Sequence, residues 1–147
     1  VVILEIQEPS DTTFRLWDYN RLDDKGNPLE LHVEQALLSM RFGATAAIEP
    51  QVETTEWGRR ERLVRAPVYA IDRLLIEREF TWETQTDRPQ VLVVLDGALA
   101  VEGGGELLEL KPGNVVIVPA ALLEVTLAPE GTTTVVTSWP TLAPGTG

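Results

Sequence analysis

The feature that most constrains this sequence is a rhythm that begins at Leu63. From there to Pro140, short apolar and β-branched runs alternate with breaks rich in Gly and Pro. The runs fall at 68–81, 90–95, 98–102, 107–110, 115–118, 123–127 and 133–138. The breaks are Asp96-Gly97, Gly103-Gly104-Gly105, Lys111-Pro112-Gly113, Pro119 and Pro129-Glu130-Gly131. Glycine admits backbone conformations that other residues avoid, and proline withholds an N–H, so each break interrupts a ladder. Many short strands at this spacing predict a mainly β fold, a sandwich or barrel of the jelly-roll type.

The first sixty residues read differently. Residues 1–7, VVILEIQ, form an apolar run with Glu5 as its one charge, and predict a buried strand. Pro9-Ser10-Asp11 is turn chemistry, and Asp11 is read there as a turn-former. Residues 13–19 alternate well enough for a second strand, with Arg15, Trp17 and Tyr19 on one face. The stretch 22–28, with Asp-Asp-Lys-Gly-Asn, is a solvated turn. Residues 30–40 predict one connecting α-helix, because Val33, Ala36, Leu37 and Met40 fit the helical period. Residues 44–62 have no clear period, and predict a loop between two units. The expected division is therefore 1–62, the remainder of a first β unit with helix and loop, then 63–140, a complete barrel, then 141–147, a flexible tail.

Charge and composition exclude several functions. Twelve Lys and Arg against 23 Asp and Glu leave a net charge of −11 across 147 residues. Nucleic acids and anionic membranes are therefore not expected partners, and an anionic substrate must be met by a few local cations. No Cys is present, so disulfides and thiolate metal sites are out. His32 is the single histidine, too few for a multi-histidine zinc site. No apolar run approaches the roughly 20 residues that span a bilayer. No basic residue precedes the apolar start, so no signal peptide is read, and a cytoplasmic setting is expected. The sole Met is Met40 and the chain opens inside a strand-like run, so upstream sequence or trimming is expected.

Two residues stand out on chemistry alone. Glu5 is a lone carboxylate in an apolar run, costly to bury unless paired or used, or else it faces outward at an edge. Arg15 is either a strand arginine paired with a surface carboxylate or a cation kept for a ligand. His32, beside Gln35 and Ser39 on the polar helix face, reads as a half-exposed helix residue. Trp17 and Tyr19 either pack or wall a site. Arg59, Arg60, Arg62 and Arg65, diluted by Glu56 and Glu61, read as a solvated loop. The three glycines 103–105 lack phosphate-loop spacing and read as a hairpin turn.

The stretch LLELKPGNVVIVPAALLEV, 107–125, resembles the second half of a cupin barrel. Metal-binding cupins place a His shortly after the Pro-Ala step, where this chain has Leu122, Leu123 and Glu124. The resemblance implies a metal-free barrel filled by residues such as Val116, Val118, Leu123 and Val125. Further upstream, LEIQEPSDTTFRLWDYNR (4–21), GNPLELHVEQAL from Gly26, and LVRAPVYAIDRLLI (63–76) resemble the type I mannose-6-phosphate isomerases. That family's reaction is a zinc-dependent aldose–ketose interconversion of a sugar phosphate. By motif position Arg15 matches its active-site Arg, which faces the substrate's negative charge, and Glu5 matches an active-site Glu. The family's zinc ligands lie upstream of the LEIQ-like strand, so the resemblance implies zinc in the intact enzyme and no metal in this chain. It also implies a C-terminal portion, inactive alone, whose partners are the sugar phosphate and the missing N-terminal half or a second copy. The alternative is a stand-alone, metal-free cupin module for sugar binding or protein interaction.

Overall fold

A computed structural model describes residues 3–7, 12–40, 42–43, 49–84 and 87–141. The chain divides into two units, Val1–Ala47 and Ile48–Gly147.

The second unit carries eight strands among the described residues: β1 (Gln51–Thr55), β2 (Gly58–Arg65), β3 (Tyr69–Ile76), β4 (Phe80–Glu83), β5 (Gln90–Gly103), β6 (Glu106–Leu110), β7 (Val115–Val118) and β8 (Glu124–Pro140). They run β1-β2-β3-β8-β5-β6, with β4 on β8 and β7 on β5. All pairings are antiparallel. The two long strands organise the fold. β5 pairs β7 near its start and β6 near its end. β8 pairs β4 through 124–127 and β3 through 133–140. Besides the ladder they form with each other, each long strand thus serves two more, and it must bend between them.

The bend is visible as register shifts at Val94/Asp96 and Asp96/Ala98. Gly97 sits there at φ 80°, and a Cβ on it would lie 2.6 Å from Thr133 Oγ1. Only glycine fits so close an approach in that conformation. Thr133 Oγ1 then donates to the Ala98 carbonyl at 2.7 Å, tying the two strands at the bend. Asp96-Gly97 and Pro129-Glu130-Gly131, expected to separate strands, are therefore bends inside β5 and β8. Both halves close over one core that includes Leu74, Leu92, Val94, Leu99, Leu127 and Val135. The mainly β jelly-roll barrel expected from the sequence is what forms.

Of the stretch 44–62, expected as a loop, residues 51–55 and 58–62 are instead β1 and the start of β2, a hairpin that joins the barrel sheet through β3, while 44–48 lie outside the described residues. The unit boundary accordingly falls at Ala47/Ile48, not at 62/63. The physical reason is that ion pairs take the place of apolar alternation here. Arg62 reaches Glu53 at 3.3 Å, Arg59 reaches Glu61 at 2.9 Å, and Arg73 donates to Glu61 at 2.6 Å. A charged strand with charged partners shows no hydrophobic period.

The first unit has little regular structure. Its helix, α1, is Val33–Ser39, shorter than the expected 30–40. Of the predicted stripe only Ala36 is buried; Val33, Leu37 and Met40 are exposed. Neither 3–7 nor 12–19 forms a strand, contrary to expectation, and Leu22↔Pro28 is an isolated bridge. An apolar run makes a strand only when a neighbour completes its ladder. The turn at 23–27 is as expected: Asp23 Oδ1 accepts the backbone N–H groups of Lys25 and Asn27, both at 2.8 Å. Among the described residues no helix is long and apolar enough to cross a membrane.

Candidate functional site

Arg15 sits at the centre of the first unit's hydrogen bonding. Its backbone N–H donates to His32 Nδ1 at 3.2 Å, and its carbonyl accepts the His32 N–H at 2.7 Å. The guanidinium Nη1 donates to the Glu30 carbonyl at 3.2 Å. Nε lies 3.6 Å from Asp18 Oδ1. The segment before α1 therefore clasps the Arg15 segment, although the two are far apart in sequence. His32, expected as an ordinary helix residue, occupies the N-cap of α1 and is the brace for Arg15. Its ring also leans on Phe14, with centroids 6.3 Å apart.

Asp18 was not singled out by sequence, yet it is the buried charge of this cluster, at 6% exposure. Arg21 Nε donates to Asp18 Oδ1 at 3.0 Å, and the Arg21 N–H donates to the Asp18 carbonyl at 3.0 Å. Between them Tyr19 and Asn20 take left-handed conformations, φ 52° and 55°, so the chain reverses here. That reversal ends the alternation that predicted a strand. It leaves Trp17 and Tyr19 exposed, edge to face at 6.3 Å. The hydrogen bond from Arg21 holds the Asp18 carboxyl below the usual carboxylate range, with the charges of Arg21 and Arg15 adding to it and burial opposing. The one sequence signal for Asp18 was its place in an Arg-x-x-Asp-x-x-Arg run, which brackets a carboxylate with two cations.

Glu5 is exposed, and it makes no ion pair with Arg15 among the described residues. The structure thus does not bring the two predicted site residues together. Asp11 lies outside the described residues.

The barrel interior has a different character. A cavity of about 370 Å³ opens among Val101, Leu108, Val116, Val118, Leu122 and Val125, an apolar wall. Val118 and Val125 belong to the core, as predicted. Leu123 does not: it is exposed, and Leu122 packs inward in its place. Glu124 is also exposed at the start of β8. Among the described residues no three His, Cys, Asp or Glu side chains come together as a zinc site requires.

The arginines expected on a loop are instead strand residues with carboxylate partners. Arg60 Nε and Nη2 both lie 2.6 Å from Asp72 Oδ2, and Arg65 Nη2 lies 2.6 Å from Oδ1. Asp72 is fully buried, so it is a carboxylate sustained by two guanidiniums. Arg65 also stacks over the Trp139 ring at 5.2 Å.

Two bent strands shared between ladders around one apolar core define the class: a cupin barrel. A RmlC-like cupin from Shewanella frigidimarina matches with a TM-score of 0.55 over 72% of this chain and 95% of its own, at 15% identity, a likeness of fold alone. No family model matches the chain. The chain is 32% identical over 120 residues to the mannose-6-phosphate isomerase of Streptococcus mutans, covering 81% of this chain and 37% of that relative. The crystal structure of the mannose 6-phosphate isomerase from Bacillus subtilis matches with a TM-score of 0.70 and 26% identity, over 88% of this chain and 40% of that one. Within the cupins, then, the chain belongs with the mannose-6-phosphate isomerases. It spans about two fifths of the length of the curated relatives it matches.

Proposed function

We propose that this chain is part of a mannose-6-phosphate isomerase, interconverting mannose 6-phosphate and fructose 6-phosphate, with Arg15 facing the substrate. The supporting observation is the setting of Arg15 in SDTTFR. Its backbone is clasped by His32 and its guanidinium is steadied by the Glu30 carbonyl and Asp18, while about a third of the side chain, 33%, stays exposed. A guanidinium has five N–H donors and a permanent charge, so donors remain for an anion. Orientation set in advance is what makes such a charge useful in a transition state.

Aldose–ketose interconversion moves a proton between C1 and C2 and places negative charge on the enediol oxygens. Arg15 meets that charge or the phosphate. Glu5 moves the proton or hydrogen-bonds the substrate. Zinc in the intact enzyme is held by ligands that this chain does not carry. The apolar side chains left open in Val1–Ala47 are covered by the rest of the same enzyme or by a second copy. The barrel takes no part in the isomerisation, a reading supported by the exposed position of Glu124.

The test compares the intact gene-encoded protein with the 147-residue chain, each supplied with zinc and mannose 6-phosphate. The intact protein is expected to form fructose 6-phosphate and the chain alone to form none. An intact protein without isomerase activity would overturn the reading. Robust turnover by the chain would force a new site assignment.

A further inference from the structure

The geometry points to a second ligand site, on the barrel: a cavity shaped for one neutral monosaccharide ring, walled by Trp57, Phe80 and Trp82. The cavity measures about 270 Å³ and is also lined by Arg60, Leu74 and Glu83. That volume lies just under the roughly 300–1,000 Å³ of drug-sized pockets, so it admits one sugar ring and no nucleotide or oligosaccharide.

The wall is aromatic and fixed. Trp57 and Phe80 stack with centroids 4.2 Å apart and planes at 10°, and Trp82 leans on Phe80 at 6.1 Å. Phe80 and Trp82 share a face of β4 because side chains alternate along a strand. Trp57 is at the turn between β1 and β2, and its carbonyl accepts the N–H groups of Glu77 at 2.8 Å and Arg78 at 3.2 Å. Gly58 makes that approach possible, since a Cβ there would lie 2.1 Å from the Leu75 carbonyl oxygen. All three rings pack against the core yet stay only half-buried. A side chain that served only as core filler would be covered.

The polar groups suit a ring of hydroxyls. The C–H-rich face of a pyranose is apolar and lies flat on an aromatic wall, while its hydroxyls point outward and need donors and acceptors around the rim. Arg60 supplies donors, and its two contacts with buried Asp72 hold it in place. Residues Thr81 and Glu83, on the outward face of β4, complete the rim. Among the described residues β4 pairs with β8 alone, so its other edge offers backbone groups to a ligand. Charge favours a neutral ligand. Asp72 already meets Arg60, so a phosphate dianion gains little here.

Tryptophan indole N–H signals of the chain, followed by NMR during titration with methyl α-mannopyranoside, test the inference. The four tryptophans divide cleanly: Trp57 and Trp82 line the cavity, Trp17 neighbours Arg15, and Trp139 lies under Arg65. The Trp57 and Trp82 signals are expected to shift and saturate in the millimolar range usual for so small a ligand, while Trp17 and Trp139 hold still. Trp82→Leu, followed on the Trp57 signal, is expected to weaken binding about tenfold, because it removes part of the aromatic wall. Trp57→Leu is expected to abolish saturation. Mannose 6-phosphate is expected to bind here no more tightly than the glycoside. Four results would overturn the site: no saturable shift at Trp57 and Trp82, shifts unchanged in both variants, a clear preference for the phosphate ester, or movement of Trp17 alone. The last would leave the isomerase reading standing while removing this one.

Discussion

The two units treat apolar residues in opposite ways. In Ile48–Gly147 the large aliphatic side chains Leu74, Ile76, Leu92, Leu99 and Leu127 are sealed into one core. In Val1–Ala47 comparable residues stand open: Leu38 is 88% exposed, Ile3 79% and Tyr19 84%. The first unit nonetheless carries the longest isomerase-like motif. Its order comes from polar contacts around Arg15, Asp18 and His32 rather than from burial. A stretch can therefore be highly specified in sequence without supplying a core of its own, when its specification serves a site. Burial of large side chains contributes roughly 1.5–3 kcal/mol each, and the barrel holds nearly all of it.

The contrast is broken or sharpened by mutation. The largest effect is expected in the barrel. Leu127→Ala removes a side chain with no exposure and is expected to cost about 2–5 kcal/mol. A shift in the urea midpoint measures it, and a loss below about 1 kcal/mol would show a core looser than described. A smaller, pH-linked effect belongs to the first unit. The Asp18 carboxyl is depressed chiefly by its hydrogen bond from Arg21, so its ionised form is favoured in the folded state. That contribution is present above the unperturbed Asp value of about 3.9, and it is lost as pH falls through the lower folded value. An NMR titration of the Asp18 carboxyl carbon is expected to give a midpoint below 3.9; a midpoint at or above it would contradict the cluster. The smallest effect is expected at Leu38. Leu38→Ala is expected to stay within about 0.5 kcal/mol, because in this chain the side chain is already in water. A larger loss would mean that the first unit buries it after all.

What was legible in the sequence follows the same contrast. β7 was read as 115–118 and is Val115–Val118, because an apolar run between a Pro-Gly turn and a proline has few alternatives. β5 and β8 were each read as two strands, since a glycine that bends a strand and a glycine that ends one look alike in sequence. The hairpin β1–β2 was missed because ion pairs to Glu53, Glu61 and Asp72 hold it, and pairing between charges across strands leaves no period along either. Arg15 draws attention through its motif. His32 and Asp18 were not, because one acts through a backbone contact across 17 residues and the other is buried by a chain reversal. Both depend on three-dimensional closure that local patterning does not encode.

In the proposed isomerase, the sugar-phosphate chemistry falls to the Arg15 segment and not to the barrel around Glu124. The most direct test is the turnover of mannose 6-phosphate at saturation by the intact gene-encoded protein carrying either Arg15→Ala or Glu124→Ala. Arg15→Ala is expected to lower turnover by about 10²–10³, the usual loss when a preorganised charge is removed from a developing anion. Glu124→Ala is expected to leave turnover within about twofold of the parent, since surface changes away from a site are normally near neutral. Turnover nearly unchanged by Arg15→Ala, or lost on Glu124→Ala, would contradict the account.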